Sequence, residues 1–210
     1  NRVRSHRMRR FASRLFRARL RSRQFLRRGR GHSSLLRHKQ DKADGVDRQE
    51  GQLAYQRYHR VMLEIALKYK IPIDRIIAAF VALSPNNDYV SNLRSLVSVL
   101  EGLKAGLPTS EINVSSYGHC RDRAITYLTG EVIFANPKRG LKILNFYHNV
   151  LSPYDNRYVT VDGHICAAWR GQNLTMREAL IKGVNEYNEI ASAIKQLAFE
   201  QFLIPNQYQA

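Results

Sequence analysis

From about residue 51 onward, apolar residues recur with the three-and-four spacing of helices, and sustained alternation is missing. Tyr58, Val61, Met62, Ile65, Ala66 and Tyr69 follow the i, i+3, i+4, i+7 rhythm, and Pro72 marks the end of that helix. Ile73, Ile76, Ile77 and Phe80 open a second, which runs to about Ser84-Pro85. Leu93, Leu96, Val97, Leu100 and Leu103 form the cleanest stripe in the chain. Cys120, Ala124, Tyr127 and Leu128 predict a shorter helix closed by Gly130.

Further along, Asn136-Pro137 has the form of an N-cap followed by Pro at the first helical position. The helix expected there carries Ile143, Phe146, Tyr147 and Val150 on one face. A turn is expected at 152–156, and Asp162 is placed to cap a helix bearing Ile165, Ala168 and Trp169. Thr175-Met176-Arg177-Glu178 has capping-box spacing and predicts a long helical region through about Phe202. Residues 205–210 are expected to finish the chain without a helix or cap. Only 158–161 has a β-like character. The pattern predicts one all-α domain over 51–210, of seven or eight helices and without internal repeats.

Charge changes this picture at one end only. Residues 1–39 hold 15 of the 34 Lys and Arg residues and none of the 17 acidic ones, so the remainder of the chain is nearly balanced. Thirteen arginines between Arg2 and Arg30 are interrupted by Phe11, Leu15, Phe16, Leu20, Phe25 and Leu26. Residues 1–40 are therefore a basic arm, disordered when free, and 41–50 a polar linker. Such a run binds polyanions or serves as a targeting segment. Arg9, Arg10, Arg14 and Arg17 are its candidate phosphate contacts. An Arg-rich, acid-free segment with serines also matches a mitochondrial transit peptide. No apolar run approaches the roughly 20 residues that span a bilayer, so no membrane partner is expected. An intracellular location, such as the cytoplasm or nucleoid of a bacterial host, is the default expectation. The chain opens on Asn1 instead of Met, and a processed chain or a fragment is the expectation.

Candidate chemistry centres on two residues. Asp162, in Val161-Asp162-Gly163-His164, follows the extended run and starts a helix, where free N–H groups and the helix dipole favour an anion. A fixed carboxylate can stabilise an oxocarbenium-like centre and orient an attacking nucleophile. An aspartate there is also an ordinary helix cap. Lys142, twenty residues upstream, lies in Gly140-Leu141-Lys142-Ile143-Leu144-Asn145. A lysine at this place is either a nucleophile or a surface helical cation.

In order and separation, G-x-K-x-x-N followed by V-D-x-H resembles the helix-hairpin-helix DNA glycosylase superfamily, endonuclease III-like. Two upstream segments are similar to that superfamily as well: Leu83-Ser84-Pro85-Asn86-Asn87-Asp88 and Tyr117-Gly118-His119-Cys120-Arg121-Asp122-Arg123-Ala124. The combination most closely resembles small uncharacterised proteins of bacteriophage genomes. The resemblance implies a helical glycosylase-like fold in which Asp162 is the catalytic aspartate and Lys142 the Schiff-base lysine of bifunctional, lyase-competent members. It further implies DNA as partner, ahead of RNA, with the nucleotide flipped out of the stack before its N-glycosidic bond is cleaved. The hairpin reads Phe134-Ala135-Asn136-Pro137-Lys138-Arg139-Gly140, where the superfamily has L-P-G-V-G. Gly140 alone survives of its glycines, and Lys138 and Arg139 offer side-chain phosphate contacts in place of the backbone grip.

Arg121, Arg123 and His164 are further candidate nucleic-acid contacts, and Asn86 and Asn87 candidate pocket residues. Tyr147, Phe146, Tyr154 and Trp169 are either base-stacking or core aromatics, with the core favoured for Trp169. No cofactor is expected. Cys120 and Cys166 are too few for the four-cysteine iron–sulfur pattern. His119 with Cys120 and His164 with Cys166 do not share a helical face, which argues against a metal. Two other functions fit the same residues: a catalytically silent nucleic-acid-binding protein, or a structural component of a nucleoprotein or virion assembly anchored by the arm.

The arm carries a direct expectation. If six to ten of its arginines meet phosphates, affinity for duplex DNA falls about 10³- to 10⁵-fold between roughly 50 and 200 mM salt. Titrations at several salt concentrations should show that slope for the whole chain and lose most of it on deletion of residues 1–39. An unchanged slope after deletion would exclude the arm from binding.

Overall fold

The structure, a computed structural model, describes residues 51–130, 140–170, 178 and 180–209. Among these residues the secondary structure is helical, with no β-strand, in agreement with the all-α pattern. The basic arm, the linker and the expected cap at Asn136-Pro137 lie outside the described residues. The chain divides into two compact units, Tyr55–Asp155 and the part that runs from Asn156 onward.

In the first unit the helices are α1 (Ala54–Tyr69), α2 (Ile73–Ala82), α3 (Tyr89–Lys104), α4 (Gly118–Thr129) and α5 (Leu141–Leu151). Helix α2 is the centre. Every residue from Ile76 to Leu83 is buried, so this helix is apolar on all sides and packs against α3, α4 and α5 at once. Burial of its larger side chains stabilises the unit by about 1.5–3 kcal/mol each. Helix α1 joins through aromatic edges, with Tyr55 against Phe146 and Tyr58 against Phe80, each 6.1 Å between ring centroids. His59 Nδ1 lies 2.9 Å from the Val150 carbonyl oxygen.

Helix α3 corrects the expected stripe. Val97 is exposed, whereas Asn92, Ser95, Val99 and Gly102 are buried with Leu96 and Leu100. The inward face uses small and polar groups, which a search for hydrophobic spacing passes over. The Asn92 amide donates to the Phe80 carbonyl at 3.0 Å. A Cβ on Gly102 would come within 2.7 Å of Ile112 Cγ1, so glycine is what lets Ile112 close on the helix. The stretch after Ile112 is held by serines: the Ser95 and Ser115 hydroxyls are 2.8 Å apart, and Ser98 donates to the Asn113 carbonyl at 2.7 Å. This serine face fixes the approach to α4, whose inward residues Cys120, Ala124, Tyr127 and Leu128 are the four predicted.

The second unit contains α6 (Gly163–Arg170), α7 (Val184–Glu200) and α8 (Pro205–Gln209). Two expectations are corrected. The C-terminal helix starts at Val184 and not at Thr175; Gly183, at φ +137°, supplies a conformation that ends any helical path before it. Most of the Thr175–Glu178 capping box lies outside the described residues. The chain also does not finish without a helix, because α8 forms and buries Pro205, Asn206 and Tyr208 against α7. Trp169 is core, as favoured.

Arg170 locks α6 to the start of α7. Its Nε and Nη2 donate to the two Glu186 carboxylate oxygens at 2.9 and 2.8 Å, and it also donates to the carbonyls of Glu178 and Leu180. The Lys182 backbone N–H adds a further bond to Glu186, at 2.7 Å. The Arg170 guanidinium holds the Glu186 carboxyl below its usual range. A lowered folded-state pKa means the contribution is fully present above the ordinary glutamate range and is lost as pH falls through the folded value. At neutral pH, Glu186→Gln should lower stability by about 2 kcal/mol. Denaturant unfolding at stepped pH should show the gap narrowing in acid, and a gap independent of pH would refute the ion-pair assignment.

Candidate functional site

Within the run 158–161, Val159, Thr160 and Val161 are buried, yet the run is in neither helix nor strand and has no partner strand among the described residues. Its backbone groups therefore need other partners, since an unpaired buried amide or carbonyl is expensive. Side chains of α7 and α8 supply them. The Tyr187 hydroxyl donates to the Val159 carbonyl at 2.6 Å and accepts from the Val161 N–H at 3.3 Å. Gln209 Oε1 accepts from the Thr160 N–H at 3.0 Å. With Val159 and Val161 packed inward, the segment is clamped on both sides of Thr160 and ends at Asp162.

Asp162 begins α6. Its Oδ1 accepts the Ile165 N–H at 2.9 Å, and its carbonyl accepts the Cys166 N–H at 2.9 Å, which is the geometry of an N-cap. The residue is half-buried. Among the described residues its second carboxylate oxygen has no hydrogen-bond donor. An anion held this way is oriented by the helix start while one oxygen stays available to a ligand. His164 is exposed on the following turn, and burial pushes the Cys166 thiol up, which suits an inert core cysteine.

Lys142 belongs to the other unit. It is exposed in the first turn of α5, after the N-cap residue Gly140. The Asn145 amide of the same pattern donates back to the Leu141 carbonyl at 2.8 Å and so closes the first turn. Lys138 and Arg139 lie outside the described residues, as do Arg9, Arg10, Arg14 and Arg17 of the arm.

The upstream candidates separate into structural and exposed groups. Arg121 is half-buried, with Nη2 3.0 Å from Asp122 and a bond to the Ile112 carbonyl, so its charge is already engaged. Asn87 donates to the Leu83 carbonyl at 2.9 Å and finishes α2. Asp88 caps α3 through the Ser91 N–H, and that bond holds its carboxyl below the usual range. Arg123 is exposed. So is Asn86, in the left-handed region at φ +60°, and its amide bonds the Tyr117 hydroxyl. Tyr117 is 50% exposed and its ring stacks on His119, 5.4 Å between centroids and 9° between planes. Among the aromatic candidates, Tyr147 is buried, Phe146 belongs to the α1–α5 cluster and Tyr154 is exposed. Among the described residues no group of three His, Cys, Asp or Glu side chains is placed to hold a metal ion, and no helix is long and apolar enough to cross a membrane.

Sequence reasoning missed Tyr187, Gln209 and the Tyr117–His119 stack. A signal existed for the first pair: a buried extended run with no sheet to join demands side-chain donors and acceptors from somewhere. Removing the Tyr187 hydroxyl takes away the bond to the Val161 N–H and the bond to the Val159 carbonyl together. Tyr187→Phe should cost about 2 kcal/mol in chemical denaturation. It should also speed hydrogen exchange of the Val161 amide more than that of amides in α7. Equal acceleration throughout the unit would show that the hydroxyl has no special hold on this segment.

No curated protein and no solved structure matches the chain. A family model does, over residues 32–210, which takes in every described residue of both units. The chain belongs to DUF7178, a family of unknown function.

Proposed function

We propose that the chain is a DNA glycosylase-like enzyme that flips a nucleotide and cleaves its N-glycosidic bond with Asp162, Lys142 adding lyase activity. The observation that carries this reading is the placement of Asp162. A buried, side-chain-clamped segment delivers it to a helix start with one carboxylate oxygen bound and the other without a donor among the described residues. Loss of a base builds positive charge on the sugar, and a carboxylate fixed in advance stabilises that charge without reorganising. Water, oriented by the same carboxylate, then adds at C1′. In the lyase branch the Lys142 amine attacks C1′ instead and forms a Schiff base. The exposure of Lys142 in a first helical turn leaves its amine accessible for that step. The exposed Tyr117 ring supports a nucleic-acid partner, because every base has a face on which to stack.

A second reading, a nucleic-acid-binding protein without chemistry, is favoured by one feature. The hairpin retains Gly140 alone of the glycines that would grip a phosphate. The two readings part in a base-excision assay on duplexes bearing lesions and mismatches. Wild type should release a base from at least one of them, and Asp162→Asn should lower that rate about 100-fold or more while binding persists. Borohydride should trap a DNA adduct that Lys142→Ala abolishes. Tight, salt-sensitive binding without excision from any duplex would favour the silent binder.

A further inference from the structure

The first unit has a cavity of about 420 Å³ where α1, α3 and α4 end, and neither candidate catalytic residue lines it. Its floor is apolar, formed by Ile71, Leu100, Leu103 and Leu128. Three lysines border it, Lys68, Lys70 and Lys104, all exposed to solvent. One carboxylate stands nearby: Glu101 accepts from the Tyr69 hydroxyl and lies 3.9 Å from Lys68 Nζ.

The three lysines are not equivalent. Lys68 and Lys104 occupy the last turns of α1 and α3, where any cation complements the helix dipole. Lys68 is further occupied by Glu101 and by the Tyr69 ring, 4.9 Å from its centroid. Lys70 has neither explanation. It follows α1 at φ +56°, the left-handed position that closes the helix as the Ile71 N–H donates to the Ala66 carbonyl. Glycine adopts that conformation without penalty, whereas lysine is strained there. Among the described residues Lys70 makes no ion pair. A strained residue whose side chain has no structural task is a reason to look for a ligand.

We propose that this cavity binds a small organic anion with an aromatic or acyl body, its phosphate, sulfonate or carboxylate group held by Lys70 and Lys104. The volume fits: small-molecule sites measure about 300–1,000 Å³ and combine an apolar lining with a few placed charges. The apolar floor takes the body of the ligand, while the attraction of the exposed lysines at the rim is screened by water and modest. The site is independent of Asp162 and Lys142, so it stands or falls separately from the glycosylase reading.

The test uses the whole chain with 8-anilinonaphthalene-1-sulfonate as probe. Wild type should bind it saturably, raise its fluorescence and gain thermal stability with it. Naphthyl phosphate should displace the probe, and neutral naphthol should not. Lys70→Gly should weaken binding about five-fold or more. Its Tm should hold or rise because the strain is relieved, so the loss cannot be unfolding. Lys104→Ala should weaken binding in the same direction, and both variants leave the basic arm intact. The proposal is overturned by probe binding that is unsaturable, by equal displacement with naphthol, or by both variants binding as tightly as wild type.

Discussion

The second unit depends on how a buried extended segment satisfies its backbone without a sheet. Between Tyr158 and Asp162 the chain carries valines that belong inside, and no strand pairs with it among the described residues. Tyr187 and Gln209 solve this with side chains from two later helices, one of them only five residues long. That explains why α8 exists and why Tyr187 faces inward. It also means that Asp162 is held from outside its own helix. The Arg170–Glu186 pair fixes the opposite end of α6 to α7, so this short helix is anchored at both termini.

The first unit follows a different logic. One helix, α2, is apolar on every side from Ile76 onward, and α3, α4 and α5 pack against it. What surrounds it is not uniformly apolar. Helix α3 approaches through a glycine, an asparagine and serines whose hydrogen bonds replace the contacts a leucine face would make. The polar candidates Asn87, Asp88 and Arg121 serve these helix ends and loops, and are therefore consumed by structure. Asn86, Tyr117 and His119 remain exposed, as does Lys142 at the start of α5.

Helix α4 was readable in full, because its inward residues are apolar and evenly spaced and Gly130 stops it. Asp162 was readable as a cap for a similar reason: the side chain that performs the task lies next to the helix it caps. Helix α3 was readable in extent but not in orientation, since Gly102, Ser95 and Asn92 carry no hydrophobic signal. The start of α7 at Val184 was not readable, because Gly183 and the Arg170–Glu186 clamp set it and no local apolar spacing reports either. Tyr187 and Gln209 were hidden for the most general reason. Their partners are 26 to 49 residues away in the chain, and no short-range spacing reports such a contact.

If Asp162 is the residue that meets positive charge on the sugar, a cation placed at that point should find it. A crystal structure of the chain bound to a duplex carrying a pyrrolidine abasic-site mimic tests this directly, because the ring nitrogen is charged where the oxocarbenium centre would form. The account predicts the mimic rotated out of the duplex, with that nitrogen within hydrogen-bonding distance of the free Asp162 oxygen. A mimic left stacked in the duplex, or flipped and bound away from Asp162, would contradict it.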